Sequence, residues 1–510
     1  MQRAKNASRN IIFGIILKLY QTAFPFVIRT AMIYKMGMDY VGLNSLFTSV
    51  LQVLNLAELG VGSAMVYSMY KPIVDGDEEN ICALLNLYKK YYRMIGFIVL
   101  GLGILLLPFI PHLISSESVI PKDINIYIIY LLNLFATVVS YWLFAYMSSL
   151  LMAHQRNDLI SKVTIFTNSI QYILQLFVII VVKDYYLYLF ALVFTQILTN
   201  VLTAVISKKR YPKYLPKGEL DKKSVKEINR RVKDLFTTKF GTIIITSADS
   251  IVISAFLGLV VLGIYNNYYY IITSVSGFLM IIFTSLTSGV GNSLVTESLD
   301  KNYRDFKMLS LLITWILTVC TSCFLCLFQP FMEMWVGKEN LLDFRLVILF
   351  CIYFFVCQLS LLWAMFKDAA GLWHEDRFRT LIGAVANLVL NIILVEFIGL
   401  YGILLSTIIS YVCISMPWLI YNLFHLLFKR SFREYMMKIA KYVFAAVLSC
   451  LLGYGLCGFI HGDGILPFAG KIIIAALIPN ILFVLFFVKT EEFTFSAELV
   501  KRLVKRKKRV

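Results

Sequence analysis

Apolar runs of about 20 residues recur along most of the chain, and short polar segments separate them. A run of this length is what a helix needs to cross the hydrocarbon core of a bilayer. We therefore predict an all-α integral membrane protein with about fourteen transmembrane helices, whose boundaries are soft by several residues. The predicted spans are residues 10–34, 41–70, 92–114, 125–153, 159–182, 185–207, 238–258, 263–292, 309–332, 344–366, 379–397, 400–427, 440–459 and 471–489.

The composition supports a bilayer environment. Hydrophobic residues make up 59% of the 510 residues and charged residues only 15%, whereas a soluble domain carries about 25% charged residues. The nine cysteines form no paired framework, so nothing indicates a disulfide-bonded secreted scaffold. These proportions argue against a soluble protein with several cores.

The positive charges indicate the orientation of the spans. If the N-terminus is cytoplasmic and every span crosses, 40 of the 48 Lys and Arg residues fall on the cytoplasmic side. Such an excess is what the positive-inside rule describes, and an extra or missing span would destroy it. We therefore expect both termini in the cytoplasm, and a multi-pass protein of the cytoplasmic membrane.

A weak internal repeat divides the chain. Lys18, Gly37 and Gly42 match Lys239, Gly258 and Gly263, each 221 residues further on. Spans 1–6 are thus expected to repeat as spans 7–12 in the same orientation, which is a transporter architecture. The predicted regions are an N-terminal half (1–207), a basic cytoplasmic linker (208–237), a C-terminal half (238–428) and two further spans with a basic tail (429–510).

Two motifs resemble cofactor sites but occur inside spans. The segment Gly453–Gly458 has the dinucleotide-binding spacing of glycines without the strand and the acidic residue that this site needs, so helix packing explains it better. Cys320, Cys323 and Cys326 lack the fourth cysteine of an iron–sulfur run. We expect no cofactor and no metal, and the basic segments are expected to contact anionic lipids rather than nucleic acid.

Polar side chains form stripes within the spans of both halves. Lys18 and Arg29 lie three helical turns apart on the first span, and Lys239 occupies the matching place in the seventh span. Because such groups are costly in lipid, we expect them to face protein or a water-filled cavity between the halves. Snorkelling of Lys18 to the membrane interface is the alternative. The other expected lining residues are Gln21, Asn44, Gln52, Asn55, Thr242, Thr246 and Ser250.

The cations suggest an anionic substrate, of which phosphate or pyrophosphate is the obvious candidate. Glu58 and Asp249 are the acidic residues in these stripes, and they leave coupling to a proton or sodium gradient open. Helix corners or hinges are expected at Pro25, Gly37, Gly42, Gly258 and Gly263.

The chain resembles the Wzx-type O-antigen and polysaccharide repeat-unit flippases of the multidrug/oligosaccharidyl-lipid/polysaccharide (MOP) superfamily. The resemblance is carried by the fourteen spans, the parallel halves, the two Gly-x-x-x-x-Gly corners, and the segments Met38–Ser49 and Asn55–Ala64. It implies translocation of undecaprenyl-pyrophosphate-linked oligosaccharide to the outer leaflet by alternating access, with no enzymatic step. Partners implied are the polymerase and other polysaccharide-assembly proteins.

Other functions stay open from the sequence alone. A related branch of this superfamily exports drugs and cations and uses acidic residues on spans 1 and 7, where this chain has basic residues and Asp249. A lipid II flippase lies within the same class as the main hypothesis. A polymerase or ligase is disfavoured because no outer loop is long enough to hold an extra domain.

Overall fold

The computed structural model describes residues 2–58, 60–116, 118, 120–462 and 464–496. Within them the chain is all-α, with no strand, as the sequence predicts. It divides into two compact units, residues 1–263 and 264–510, which are described separately.

The first unit contains nine complete helices within the described residues. They are α1 Gln2–Lys35, α2 Met38–Leu54, α3 Val61–Asp75, α4 Glu78–Leu106, α5 Ile126–Trp142, α6 Met147–Ala153, α7 Asn157–Phe177, α8 Tyr185–Arg210 and α9 Lys222–Leu257. Short 3₁₀ segments follow α2 (Asn55–Glu58) and α4 (Leu107–Leu113), and a π-helical segment, Val178–Val182, follows α7. Helix α10, Leu259–Thr296, begins in this unit and continues into the second.

The second unit holds eight further complete helices within the described residues, and residues 491–496 are also helical. The eight helices are α11 Leu299–Val336, α12 Phe344–Ala369, α13 Trp373–Asp376, α14 Arg379–Ile398, α15 Leu400–Ser410, α16 Met416–Tyr421, α17 Arg433–Gly458 and α18 Ile465–Phe487. A 3₁₀ segment, Lys338–Asn340, follows α11, and π-helical segments Tyr411–Ser415 and Asn422–Leu427 flank α16.

Twelve helical stretches of the described chain are long and apolar enough to cross a membrane. A thirteenth arises if α5 and α6, which are bent by 58°, together form one span. Together with the many exposed apolar side chains, this identifies a multi-pass membrane protein, and the thirteen stretches match thirteen of the predicted spans. The structure does not confirm the count of fourteen or the orientation of the termini.

The remaining predicted span, 41–70, is a broken helix. It is divided into the 17 residues of α2 and the 15 residues of α3 by the 3₁₀ segment and by Gly60, which has a φ of +88°. A left-handed conformation of this kind is typical of glycine and interrupts a right-handed helix. Hydropathy alone could not show the break, because both parts are apolar.

The predicted linker is only partly a separate segment. Its last part, from Lys222 onward, is the beginning of α9. The preceding residues contact α4, where Lys90 pairs with Glu219 at 2.8 Å and Asn86 donates a hydrogen bond to the carbonyl oxygen of Gly218 at 2.8 Å. These contacts attach the basic segment to the first unit.

The two predicted glycine corners lie where helices turn. Gly37 between α1 and α2 has a φ of +115°, and Gly258 between α9 and α10 has a φ of +91°. Gly42 lies against the backbone of Leu259, and a Cβ on Gly263 would lie 2.8 Å from the carbonyl oxygen of Met38. The corners therefore pack backbone to backbone, which explains why the second glycine of each motif has no side chain.

Helix α11 of the second unit packs against both α17 and α18. Gly453 faces the hydroxyl of Ser322, and Cys326 and Cys457 lie in a small buried cluster with Ala475. Gly453 therefore allows close helix packing, as the sequence predicts, whereas Gly455 and Gly458 have nothing within 4 Å of an added Cβ.

Candidate functional site

The polar residues in the apolar part of α1, Ile12–Lys35, remain accessible. The helix continues without interruption through Pro25, and Lys18 and Arg29 are both half-buried while Gln21 is exposed. Arg29 donates a hydrogen bond to the hydroxyl of Ser45 on α2 at 3.2 Å. Lys18 forms no ion pair within the described residues. The first span thus carries two half-buried cations.

The polar face of α2 lies beside α9. Asn44 is half-buried, whereas Thr48 and Gln52 are exposed. Gln52 accepts a hydrogen bond from the fully buried Ser247 of α9 at 3.2 Å. Helix α2 packs against both α1 and α9, so the polar residues of these three helices belong to neighbouring elements.

Helix α9 contributes exposed and buried polar groups. Thr242 and Thr246 are exposed, and the hydroxyl of Thr246 donates to the carbonyl oxygen of Thr242 at 3.1 Å. Ser250 and Asp249 are each 7% exposed, and Asp249 has interaction partners in the structure. The side chain of Lys239 lies outside the described residues.

Glu58 lies in a cluster of tyrosine hydroxyls in the 3₁₀ segment after α2. One carboxylate oxygen accepts a short hydrogen bond from Tyr92 of α4, and the other accepts from Tyr141 of α5 at 3.0 Å. Tyr141 is also within 3.0 Å of the side-chain oxygen of Asn55, and Tyr88 donates to Tyr92 at 2.8 Å. We call Glu58 with Tyr88, Tyr92 and Tyr141 the tyrosine cluster.

The structure separates two groups that the sequence placed on one stripe. Asn55 and Glu58 are directed toward α4 and α5, while Gln52 is directed toward α9. The break after Leu54 changes the helical phase, and this accounts for the difference. The carboxylate of Glu58 and the exposed amide of Gln52 therefore have different surroundings.

Sequence reasoning missed the three tyrosines. The only local signal was the spacing of Tyr88 and Tyr92, which places both on one face of a helix. Tyr141 lies 83 residues from Glu58, and the chain contains 30 tyrosines, so nothing in the sequence distinguished these three.

Comparison with known sequences identifies the family. A sequence model described as polysaccharide biosynthesis protein matches residues 7–287, more than half of the chain. The chain belongs to this family. Among curated protein sequences, none matches it significantly.

Comparison with solved structures shows which fold this chain has. A lipid II flippase MurJ in an inward closed conformation aligns with a TM-score of 0.65 at 15% identity, over 94% of this chain and 99% of that one. An inward-facing multidrug resistance MATE transporter of the MOP superfamily aligns with a TM-score of 0.61 at 13% identity, over 80% and 96%.

A third related structure is a MOP superfamily transporter from Pyrococcus furiosus, for which a reversed polarity of the binding pocket is described. It aligns with a TM-score of 0.53 at 13% identity, over 84% of this chain and 97% of that one. The fold is thus that of the MOP transporters, and the resemblance stated from the sequence is confirmed. At such identities the likeness establishes the fold alone.

Proposed function

We propose that this protein is a flippase for undecaprenyl-pyrophosphate-linked oligosaccharide repeat units of the O-antigen or capsule type. It moves them from the inner to the outer leaflet of the cytoplasmic membrane by alternating access. The observation that carries the proposal is membership of the polysaccharide biosynthesis family. The MOP fold, in which a lipid II flippase also occurs, supports transport rather than a covalent reaction.

The cations of α1 are proposed to hold the pyrophosphate. Lys18 and Arg29 lie within a membrane-spanning helix, and Arg29 hydrogen-bonds the neutral hydroxyl of Ser45. Attraction between a guanidinium and a pyrophosphate is stronger in a low-dielectric environment than in water, and arginine can donate two parallel hydrogen bonds. By the sequence repeat, Lys239 is proposed to contribute from α9.

The exposed polar groups of the same three helices are proposed to face a water-accessible path. Lipid chains cannot satisfy the exposed amide groups of Gln21 and Gln52, whereas the hydroxyls of Thr48 and Thr246 already donate to carbonyl oxygens one turn earlier in their own helices. Groups of this kind can hydrogen-bond sugar hydroxyls, either directly or through water. The prenyl chain would remain in the lipid.

Coupling to an ion gradient is proposed to act through Glu58. Its carboxylate accepts hydrogen bonds from two tyrosines, and Glu58 forms no ion pair within the described residues. Protonation would remove the charge that these hydroxyls stabilise and would change how the 3₁₀ segment is held between α4 and α5. Asp249 is the second acidic candidate, because it is buried in α9.

A cation or drug antiporter is the second candidate, since Glu58 and Asp249 are acidic and MATE transporters share the fold. In that case the acidic residues alone, and not Lys18 or Arg29, would control resistance to cationic compounds. A lipid II flippase is the nearest alternative with an anionic substrate.

Depletion of the protein tests these functions. We expect lipid-linked oligosaccharide repeat units to accumulate on the cytoplasmic side, measured by mass spectrometry of extracted lipids, while lipid II stays at its normal level. Accumulation of lipid II instead would assign the protein to peptidoglycan precursors. Unchanged levels of both lipids, with greater sensitivity to cationic drugs, would favour the antiporter.

A further inference from the structure

Two adjoining cavities in the second unit form one groove. The first has a volume of about 1040 Å³ and lies at the end of α16, where His425, Lys429 and Arg430 line it. The second has a volume of about 660 Å³ and lies along α12 and α17. Both are lined by Trp363 and Met416, so we treat them as a single lipid-facing groove, called the α12–α17 groove.

The inner part of the groove is apolar and open along its length. Ile348 and Ile352 on α12 are 39% and 42% exposed, and Val447 and Leu451 on α17 are 53% and 63% exposed. All four side chains line the second cavity. An apolar groove on the surface of a membrane-spanning region can bind an acyl chain.

The mouth of the groove is cationic. Lys429 is exposed and forms no ion pair within the described residues, whereas Arg430 pairs with Asp300 and covers the ring of Tyr303. His425 stacks on Tyr421 with ring centroids 5.0 Å apart. Asp300 offsets part of the charge of Arg430. The positive charge at the mouth of the groove therefore comes mainly from Lys429.

The backbone around the mouth has an irregular geometry. The π-helical segments Tyr411–Ser415 and Asn422–Leu427 both border the groove, and such segments widen a helix and often occur at functional sites. Lys429 has a φ of +53°, which is uncommon for a residue with a side chain. The amide of Phe428 donates to the carbonyl oxygen of Leu423 at 2.8 Å and holds this turn.

We propose that the α12–α17 groove is a binding site for one anionic phospholipid of the bilayer. The phosphodiester would lie against Lys429, with His425 and Arg430 beside it, and an acyl chain would follow the apolar part between α12 and α17. Charge complementarity favours this occupant, since anionic lipids are enriched where positively charged loops meet the cytoplasmic leaflet. The site does not depend on the proposed transport function.

The test uses the purified full-length protein in detergent. Native mass spectrometry measures binding of phosphatidylglycerol and of phosphatidylcholine with identical acyl chains. We expect phosphatidylglycerol to bind at least about fivefold more tightly than phosphatidylcholine, because one lysine beside an anionic headgroup contributes about 1 kcal/mol. Lys429→Ala should remove most of that preference. Lys489→Ala, an exposed lysine beyond α18, is the matched control and should retain it.

A second variant tests the apolar part. Val443 lines the groove, and Val443→Trp should fill it and reduce phosphatidylglycerol binding at least tenfold. Val389→Trp is the control, because Val389 lies on α14 and is 49% exposed but does not line the groove. Unchanged binding in Val443→Trp, with normal thermal unfolding, would overturn the proposal.

Four further results would also overturn it. Equal binding of phosphatidylglycerol and phosphatidylcholine would show that the mouth does not select charge. The same loss in Lys489→Ala or Val389→Trp would show a nonspecific effect. Displacement of phosphatidylglycerol by a tenfold lower concentration of undecaprenyl phosphate would assign the groove to a polyprenyl lipid. Glycerol phosphate without acyl chains should not compete, and competition by it would point to a site for free phosphate esters.

Discussion

Lys18, Arg29 and Glu58 are charged residues inside apolar stretches, but they have different surroundings. Lys18 is half-buried on α1 and Arg29 reaches the hydroxyl of Ser45, whereas Glu58 lies among tyrosines. A charge within a membrane is costly, so each needs either a substrate, water or hydrogen-bond donors. We assign the cations to substrate binding and the carboxylate to coupling on this basis.

Replacement of the α1 cations tests the first assignment. Lys18→Ala and Arg29→Ala should each reduce export of surface polysaccharide at least about tenfold, because a charged hydrogen bond contributes about 1.5–3 kcal/mol. Surface polymer is measured by immunoblotting, and membrane insertion by quantifying the protein in membranes. Lys209→Ala, an exposed lysine at the end of α8, is the control. Normal polymer in both α1 variants would refute the site.

Glu58→Gln tests the coupling role. The amide preserves the shape of the side chain but carries no charge and keeps only one of the two accepting oxygens, so transport should lose its dependence on a pH gradient. Uptake of lipid-linked oligosaccharide into inverted vesicles, with and without an imposed gradient, measures this. Glu79→Gln is an exposed control at the start of α4. Gradient dependence equal to that of the unmodified protein would contradict the assignment.

The glycine corners and the broken second span show how element-level packing refines the sequence pattern. Gly37 and Gly258 have the positive φ angles that the predicted corners need. The glycines five residues later serve a different purpose, because Gly42 and Gly263 allow the corners to touch through their backbones. The spacing predicted both corners, but it could not show that they pack against each other.

A substitution at Gly42 should separate the two corners. The Cβ of Gly42→Ala would overlap the carbonyl oxygen of Leu259, so we expect a loss of about 1–3 kcal/mol in the free energy of unfolding. The unfolding midpoint in detergent measures it. Gly14→Ala is the control, because nothing lies within 4 Å of the added Cβ, and alanine favours the helix by up to about 1 kcal/mol. An unfolding midpoint for Gly42→Ala equal to that for Gly14→Ala would show that the corner tolerates separation.

Helices α17 and α18 correspond to the two additional spans that the sequence predicted. An ion cluster ties them to α11 on one side of the second unit. Glu492, which follows α18 and is 4% exposed, pairs with Lys438 of α17 at 2.5 Å and with Lys307 of α11 at 3.9 Å. This cluster connects α11 and α17 with the segment that follows α18.

The ion cluster makes stability depend on pH. Burial by itself would raise the pKa of Glu492, but the hydrogen bond from Lys438 and the charges of Lys438 and Lys307 lower it below its ordinary value of 4.5. A carboxyl whose pKa is lowered in the folded state stabilises the protein above its ordinary pKa. That contribution is lost as the pH falls through the lower, folded-state value.

Glu492→Gln should therefore lower the free energy of unfolding at neutral pH by about 2 kcal/mol. The difference from the unmodified protein should shrink as the pH falls below 4.5. Thermal unfolding in detergent at a series of pH values measures both effects. Glu491→Gln, at the exposed neighbouring position, is the control. A difference that does not change with pH would show that the ion cluster contributes no pH-dependent stability.

The sequence by itself determined the all-α membrane class, the position of the twelve or thirteen stretches that can cross a membrane, the places of the glycine corners and the family. Each of these depends on residues close together in the chain, since a span or a corner is defined within about 20 to 30 residues. Hydropathy and spacing therefore detect them. The cations of α1 were also visible, because a charge in an apolar run stands out locally.

Only the tertiary structure decided which groups surround Glu58 and Gln52. Tyr92 and Tyr141 lie 34 and 83 residues from Glu58, and Ser247 lies 195 residues from Gln52. The α12–α17 groove is likewise a product of packing between segments that are distant in sequence. Contacts of this kind depend on how helices cross, which the local pattern of hydrophobic and polar residues does not encode.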